Sequence, residues 1–267
     1  MKKIGIVGCG TIGEGIALFI DKNLSKQATI TALADKKKIA ATTLNKKLTK
    51  KAKIKTIENL VKEVDLVVET ASQTAAYQTI KQILIYKKDI IILSVGALIK
   101  EPKILKEVQI KNINMYIPSG AISGVDGLGA LAKGNIKKLT ITTSKPPAGL
   151  AGAKYLKSKN IDINKLKKPT TIFSGGVKEA IKYFPKNINV AATLLFASKF
   201  NKVKVVIRLN PKIKRNIHKV EAVADEARIK TEVENVSSKI NPKTSALTIL
   251  STQTLLEKIF SSVKIGS

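Results

Sequence analysis

The chain has 267 residues, of which 48 are Lys or Arg and 19 are Asp or Glu, so its formal net charge is +29. Hydrophobic residues make up 44% of the sequence, which excludes a disordered basic tail and is enough for the cores of one large or two modest domains. The single cysteine, Cys9, permits no disulfide within the chain, which favours a reducing, cytoplasmic location.

The excess positive charge is carried almost entirely by lysine. Only three of the cations are Arg, the residue best suited to bidentate phosphate contacts, and aromatic residues, which stack on bases, make up 4%. We therefore interpret the lysines as a solvated surface and expect no nucleic-acid partner. We also expect no membrane partner, because the most apolar internal run, residues 90–99, is far shorter than the ~20 residues of a spanning helix.

Short apolar segments alternate with amphipathic segments through the first half of the chain. Apolar runs predict strands at residues 3–7, 28–34, 66–69, 90–95 and 115–117, and helical spacing predicts helices at 11–23, 37–48, 57–61 and 74–86. This alternation is typical of an α/β domain with a doubly wound parallel sheet that is covered on both faces.

The pattern changes after Pro118-Ser119-Gly120. Alternating or β-rich runs predict strands at residues 139–143, 170–173, 204–209, 219–224 and 230–236, and helical spacing appears at 178–183, 190–197 and 242–259. The second half is therefore expected to be an α+β domain with a mostly antiparallel sheet.

A glycine-rich motif joins the first strand to the first helix. Gly8, Gly10 and Gly13 form G-x-G-x-x-G, and Asp35 ends the second strand about 20 residues further on. Gly8 permits a tight turn, Gly10 lets a pyrophosphate approach the backbone, and Gly13 lets the helix pack closely on the strand. The spacing predicts a Rossmann-type dinucleotide site that includes Thr11 and Ile12 at the start of the helix.

The choice between NAD and NADP stays open in the sequence. Asp35 can accept hydrogen bonds from the ribose hydroxyls, and its carboxylate would repel the 2′-phosphate of NADP. Lys36, Lys37 and Lys38 follow at once and could attract that phosphate. We therefore predict NAD or NADP as cofactor, and no metal.

Small and hydroxylated residues follow the third and fourth strands. They are Thr70-Ala71-Ser72-Gln73 and Ser94-Val95-Gly96-Ala97. The carboxyl ends of parallel strands meet the ligand crevice of such folds, so these segments are candidates to line it. We assign Ala71 and Ser72 to the cofactor.

Several blocks of the sequence together resemble the L-aspartate dehydrogenase family. They are Glu69-Thr70-Ala71-Ser72-Gln73, Ser94-Val95-Gly96-Ala97-Leu98, Pro118-Ser119-Gly120-Ala121-Ile122, Phe184 to Ala192, Glu234-Asn235-Val236 and Asn241 to Leu247. The resemblance runs nearly the whole length. It implies a dinucleotide-binding domain of residues 1–118 joined by a C-terminal helix within 241–267, and a catalytic and dimerisation domain of residues 119–240.

The resemblance also implies roles for particular residues. The family's Asn-x-His motif corresponds to Asn216-Ile217-His218 and makes His218, the only histidine, the predicted catalytic residue. Further cofactor contacts correspond to Ala121 and to Asn189, with Asn187 as second choice. For the substrate we assign Ser119, Asn216, Arg208 and Arg215, with Lys214 as a further candidate. The arginines are included because a guanidinium group can bind a carboxylate through two parallel hydrogen bonds.

The implied activity is oxidation of L-aspartate to iminoaspartate by a cytoplasmic homodimer, feeding quinolinate and NAD synthesis. A homoserine-dehydrogenase-like enzyme is an alternative with a similar two-domain plan. A dihydrodipicolinate-reductase-like enzyme would need a His-His segment that a chain with one His lacks. A non-catalytic NAD-sensing or nucleic-acid-binding module is the alternative from another class.

Overall fold

The computed structural model describes residues 1–185, 188–236 and 244–266. The chain divides into two compact units. The first unit contains Met1–Pro118 and Thr248–Lys264, and the second is formed from Ser119–Leu247.

A parallel sheet forms the centre of the first unit. Its strands are β1 (Lys2–Val7), β2 (Ala28–Ala34), β3 (Lys53–Ile54), β4 (Leu66–Glu69), β5 (Asp89–Ile92) and β6 (Met115–Tyr116). They lie in the order β3-β2-β1-β4-β5-β6, with every neighbouring pair parallel. Every residue of β4 is buried, as expected for a strand between two helical layers. The predicted doubly wound sheet is confirmed.

Six helices connect these strands. They are α1 (Thr11–Asn23), α2 (Lys38–Lys47), α3 (Ile57–Glu63), α4 (Gln73–Tyr86), α5 (Gly96–Lys100) and α6 (Lys103–Ile110). The sequence patterns did not predict β3, α5 or α6. Strand β3 has only two residues and both are exposed, whereas α6 buries Ile104 and Val108, a pair at helical spacing that was overlooked.

The second unit contains a five-stranded sheet. Its strands are β7 (Ile136–Lys145), β8 (Thr170–Gly176), β9 (Lys204–Leu209), β10 (Asn216–Ala224) and β11 (Arg228–Asn235). They lie in the order β11-β10-β7-β9-β8. Only β7 and β9 pair in parallel, and the other pairs are antiparallel. The predicted mostly antiparallel sheet is confirmed, and β7 and β10 are longer than predicted.

Helices and an aromatic cluster complete the second unit. The helices are α7 (Val125–Leu131), α8 (Pro147–Leu150), α9 (Lys154–Ser158), α10 (Val177–Tyr183) and α11 (Asn189–Ser198), with a 3₁₀ turn at Ile163–Lys165. Tyr155 of α9 lies with its ring centroid 5.0–5.5 Å from the rings of Phe173, Tyr183 and Phe184. Such edge-on and tilted ring contacts add to the burial of apolar surface.

The last helix, α12 (Ala246–Phe260), packs on the core of the first unit. Leu256 is fully buried there, Ile249 lies against Gly15 of α1, and the amide of Gln253 donates a 3.2 Å hydrogen bond to the Gly15 carbonyl. Gly15 lets the two helices approach closely, since a Cβ at this position would lie 2.8 Å from Ile249. The predicted start at residue 242 lies outside the described residues.

Candidate active site

The three glycines of the turn between β1 and α1 differ in what the absence of a side chain permits. Gly8 has φ +95°, and a Cβ there would lie 2.7 Å from the backbone nitrogen of Ala71. A Cβ on Gly13 would collide with the Gly8 carbonyl oxygen. In contrast, nothing lies within 4 Å of a Cβ placed on Gly10. Gly8 and Gly13 are therefore needed to build the turn, whereas Gly10 leaves open space beside it.

Asp35, which directly follows β2, is hydrogen-bonded to the backbone of this turn. Its carboxylate accepts hydrogen bonds from the backbone N–H of Cys9 and of Lys37, each at 2.7 Å. The Cys9 thiol lies buried in the turn, and burial together with the nearby Asp35 charge raises its pKa to about 12. The thiol is therefore protonated and inert at neutral pH.

The first turn of α1 is open to an anion. Thr11 and Ile12 begin the helix directly after Gly10, and no side chain caps its N-terminus. Backbone N–H groups at a helix N-terminus bind phosphate groups well. The uncapped turn, the space beside Gly10 and the half-buried Asp35 carboxylate together fit a dinucleotide, and these residues would hold it.

The loops that follow β4 and β5 are held together by Glu69. This residue ends β4 and is 0% exposed. One carboxylate oxygen accepts hydrogen bonds from the Ala71 N–H at 2.8 Å and the Ser94 hydroxyl at 2.9 Å, and the other accepts from the Ser94 N–H at 3.0 Å. Burial raises the pKa of this carboxyl, and the hydrogen bonds oppose that rise.

Ala71 lies beside the glycine-rich turn and Ser72 follows it at the start of α4, and both remain predicted cofactor contacts. Ala71 faces Gly8, and the Thr70 hydroxyl donates a 2.7 Å hydrogen bond to the Gly8 carbonyl. The Ser72 hydroxyl accepts a 3.3 Å hydrogen bond from Ala75 and so caps α4. Glu69, which connects these loops, lies in one of the blocks that resemble the family, but the sequence patterns do not predict its role.

The turn at residues 119–121 belongs to the second unit. Gly120 has φ +69°, which explains the glycine after Ser119. The Ala121 carbonyl accepts a 3.1 Å hydrogen bond from the buried side-chain amide of Asn235, and Asn235 in turn accepts one from the Ser245 hydroxyl. The conformation of the turn is thus set from β11. Ser119 and Ala121 remain predicted ligand contacts.

The structure describes only one of the two asparagines that are candidates for cofactor binding. Asn189 is half-buried and begins α11. Asn187 lies outside the described residues. Asn189 keeps its predicted cofactor role.

His218 lies on β10 within a buried polar cluster. It pairs with Thr143 of β7, and its Nδ1 lies 2.9 Å from the Thr143 hydroxyl oxygen. The residue is 7% exposed. Burial, together with the positive charge of Lys145, lowers the pKa of His218 to about 4, so the imidazole is neutral at neutral pH.

The sequence patterns missed Thr143 as a site residue and also missed Lys145. It ends β7, lies two positions beyond Thr143 on the same face, and is 8% exposed. Burial lowers its pKa to about 8. The alternation of buried residues along β7, from Leu139 through Ile141 and Thr143, could have identified it, but the predicted strand stopped at residue 143.

The structure does not bring the predicted arginines to His218. Arg208 pairs with Ser144, the neighbour of Thr143, so its side chain lies on the opposite face of the sheet. Arg215 is exposed and forms an ion pair with Glu234, with its guanidinium 3.6 Å from the carboxylate. Lys214 is also exposed. Asn216 does lie beside Lys145, because Ile217 pairs with Ser144 at the next position.

Two sequence families match the chain, one in each half. The family described as "Homoserine dehydrogenase, NAD binding domain" matches residues 8–118, and the family described as "Aspartate dehydrogenase, C-terminal" matches residues 126–259. With the parallel sheet and its glycine-rich turn, these matches define an oxidoreductase with an N-terminal NAD(P)-binding domain.

Curated relatives match over the full length. The L-aspartate dehydrogenases of Methanosarcina barkeri and Methanocaldococcus jannaschii are each 39% identical, covering 100% of both chains. The crystal structure of aspartate dehydrogenase from Thermotoga maritima matches with a TM-score of 0.73 and 28% identity, covering 100% of both chains. The chain belongs to the L-aspartate dehydrogenase family, as the sequence resemblance indicated.

More distant structures share the fold alone. A myo-inositol dehydrogenase from Lactobacillus casei, solved with NAD(H) and myo-inositol, matches with a TM-score of 0.61 at 11% identity. Within the described ranges, no group of three or more His, Cys, Asp or Glu could hold a metal ion. No helix in that part of the chain is long and apolar enough to cross a membrane.

Proposed function

We propose that the protein oxidises L-aspartate to iminoaspartate with NAD(P) as hydride acceptor, and that the product hydrolyses to oxaloacetate and ammonia. The observation that carries this proposal is the buried, neutral His218 in a family of L-aspartate dehydrogenases that the chain matches over its full length. The homoserine-dehydrogenase-like alternative is less well supported, because the match bearing that name is confined to residues 8–118.

His218 is proposed to accept a proton from the substrate. With Nδ1–H donating to Thr143, the other ring nitrogen keeps its lone pair and can take a proton from the aspartate ammonium group. The resulting amine uses its lone pair to form the C=N bond as the α-hydrogen leaves with its electron pair. NAD(P) supplies the acceptor for this hydride.

Both NAD and NADP are proposed to serve as cofactor. The Asp35 carboxylate would repel a 2′-phosphate, which favours NAD. Lys36, Lys37 and Lys38 are exposed next to it and would partly offset that repulsion. Comparison of kcat/KM for the two cofactors tests this, and activity with NAD alone would contradict it.

The role in the cell is proposed from the family resemblance and the composition. The resemblance supports a homodimer and a supply of iminoaspartate towards quinolinate and NAD synthesis. The single, buried cysteine supports a cytoplasmic location. Light scattering on the purified protein would test the dimer, and aspartate-dependent quinolinate formation in extracts would test the pathway.

A steady-state assay of the His218→Ala variant tests the proposed function. The wild type should reduce NAD(P) with L-aspartate and oxidise NAD(P)H with oxaloacetate plus ammonia. Loss of the proton acceptor should lower turnover by about 10²- to 10⁴-fold with cofactor affinity unchanged. Lys219→Gln, an exposed change on the adjacent residue, is the control. Turnover of malate or homoserine but not aspartate would overturn the substrate, and unchanged turnover in His218→Ala would overturn the role of His218.

A further inference from the structure

Four polar side chains lie together at one end of the second sheet. Thr143 and Lys145 alternate on the same face of β7, and His218 of β10 pairs with Thr143. Asn216 lies beside Lys145, since its side-chain oxygen and the Lys145 Cβ both fall within 3.5 Å of a Cβ placed on Gly149. The cluster therefore combines an amide, a hydroxyl, an imidazole and one ammonium group.

The ammonium group of Lys145 has no countercharge within the cluster. It forms no ion pair or hydrogen bond with any residue in the ranges that the structure describes, although the side chain is 8% exposed. Its strand neighbour on β9 is Leu209, and α8, which packs on β7, contains only Pro, Ala, Gly and Leu. A buried charge without a partner destabilises the folded chain.

The titratable group that faces Lys145 from these elements is His218, which is neutral. The cluster thus carries one uncompensated positive charge next to the proposed proton acceptor. An anion bound at this point would supply the missing countercharge and would hold its attached carbon skeleton close to the imidazole.

We propose that Lys145 binds a carboxylate of the dicarboxylic substrate, with the Asn216 side-chain amide as a second donor to the same group. This inference rests on the proposed function, because it takes aspartate as the substrate. The bound carboxylate also offsets the charge that lowers the proton affinity of His218, so the imidazole becomes a better proton acceptor when substrate is present. Lys145 therefore replaces Arg208 as the proposed carboxylate ligand, because Arg208 lies on the opposite face of the sheet from His218.

Replacement of Lys145 by Met tests the proposal, because Met keeps the length of the side chain and removes the charge. KM for L-aspartate should rise by about 10- to 100-fold through loss of a hydrogen bond to a charged group, with KM for NAD(P) within twofold of wild type. Lys145→Arg should recover part of the affinity. Lys138→Met, on an exposed position of the same strand, is the matched control and should leave every constant unchanged.

Thermal stability separates a binding role from a structural role. Lys145→Met should melt at or above the wild-type temperature, because an unpaired buried charge is removed. A lower melting temperature with an unchanged KM would overturn the proposal, and so would an unchanged KM at unchanged stability. If Lys145→Met does not fold, Lys145→Arg takes its place. A KM for aspartate that rises by less than about tenfold with KM for NAD(P) unchanged then supports the charge requirement, and a rise in both KM values overturns it.

Direct binding keeps this proposal separate from the proposed function. Calorimetric titration with succinate, an unreactive dicarboxylate, in the presence of NAD should show binding to wild type and at least tenfold weaker binding to Lys145→Met. Failure of wild type to oxidise aspartate, with succinate binding retained and dependent on Lys145, would overturn the proposed function alone. Equal succinate binding by both proteins would overturn the role of Lys145.

Discussion

Among the residues that the structure describes, each unit buries one charged residue near the end of a strand, but only the residue of the first unit has hydrogen-bond partners. Glu69 in the first unit accepts three hydrogen bonds from Ala71 and Ser94 and is 0% exposed. Lys145 in the second unit is 8% exposed and contacts no countercharge among the described residues. A buried charge whose partners are all internal stabilises its surroundings, whereas one without partners is available to a ligand.

The pKa values reflect the same difference. For Glu69, burial raises the pKa, and hydrogen bonds from the surrounding loops oppose that rise. For Lys145, burial acts alone and lowers the pKa to about 8. The comparison therefore predicts that removing the acid destabilises the protein and that removing the base does not.

The largest expected effect is that of Glu69→Ala. The change leaves the two buried donors of Ser94 without an acceptor, and also the part-buried N–H of Ala71. At ~1–3 kcal/mol for each buried donor, the free energy of unfolding should fall by about 2–6 kcal/mol. Urea unfolding followed by circular dichroism measures this loss.

Two further variants test whether the lost stability comes from the buried hydrogen bonds of Glu69. Glu69→Gln keeps one oxygen for Ala71 and the Ser94 hydroxyl and should lose less stability than Ala. Glu63→Ala removes an exposed acid that pairs with Lys55 at the surface, and should change the free energy of unfolding far less, because exposed ion pairs contribute little. A Glu69→Ala protein as stable as wild type would show that the hydrogen bonds to Glu69 do not stabilise the first unit. The proposed contrast with Lys145 would then be wrong.

The next effect is the pH dependence of stability due to Lys145. Its folded pKa of about 8 lies below the ordinary value of 10.5, so between these pH values the unfolded chain binds a proton that the folded chain does not. Wild-type stability should therefore rise from pH 8 to 10.5 relative to Lys145→Met, and the full penalty, on the order of 3 kcal/mol, applies below pH 8. Urea midpoints at several pH values measure the difference, and parallel curves for the two proteins would contradict it.

The smallest effect is that of Gly10→Ala on the cofactor. A Cβ at this position meets nothing within 4 Å, so stability should be unchanged, but the methyl group occupies the space proposed for the pyrophosphate. NAD affinity should fall by roughly tenfold, about 1.4 kcal/mol, by fluorescence titration. Gly129→Ala, where a Cβ also meets nothing, is the control and should bind NAD normally. Equal affinity in both variants would place the pyrophosphate elsewhere.

Much of the fold was predictable because the first unit follows local rules. The bounds predicted for α1, β2 and β4 agree with the structure, since buried parallel strands are continuous apolar runs and α1 repeats its apolar residues at helical spacing. The short strand β3 was missed because two exposed residues carry no hydrophobic period. Helix α6 was not predicted because only two of its four apolar residues, Ile104 and Val108, form a buried pair at helical spacing, which is a weak signal.

The cluster around His218 was only partly predictable, because it depends on which strands are neighbours. Arg208 and Lys145 are both basic residues close to predicted strands, and composition does not distinguish them. The register does, because Arg208 pairs with Ser144 and Lys145 with Leu209, on opposite faces of the sheet. Non-local pairing of this kind is not encoded in local periodicity.

The buried thiol of Cys9 has a practical consequence. With a pKa of about 12 and a position inside the glycine-rich turn, it should resist alkylating reagents while the first unit stays folded. As the only cysteine in the chain, it then becomes reactive only when that turn opens. The rate of thiol labelling therefore measures how often the nucleotide-binding unit opens locally. A bound dinucleotide should lower that labelling rate.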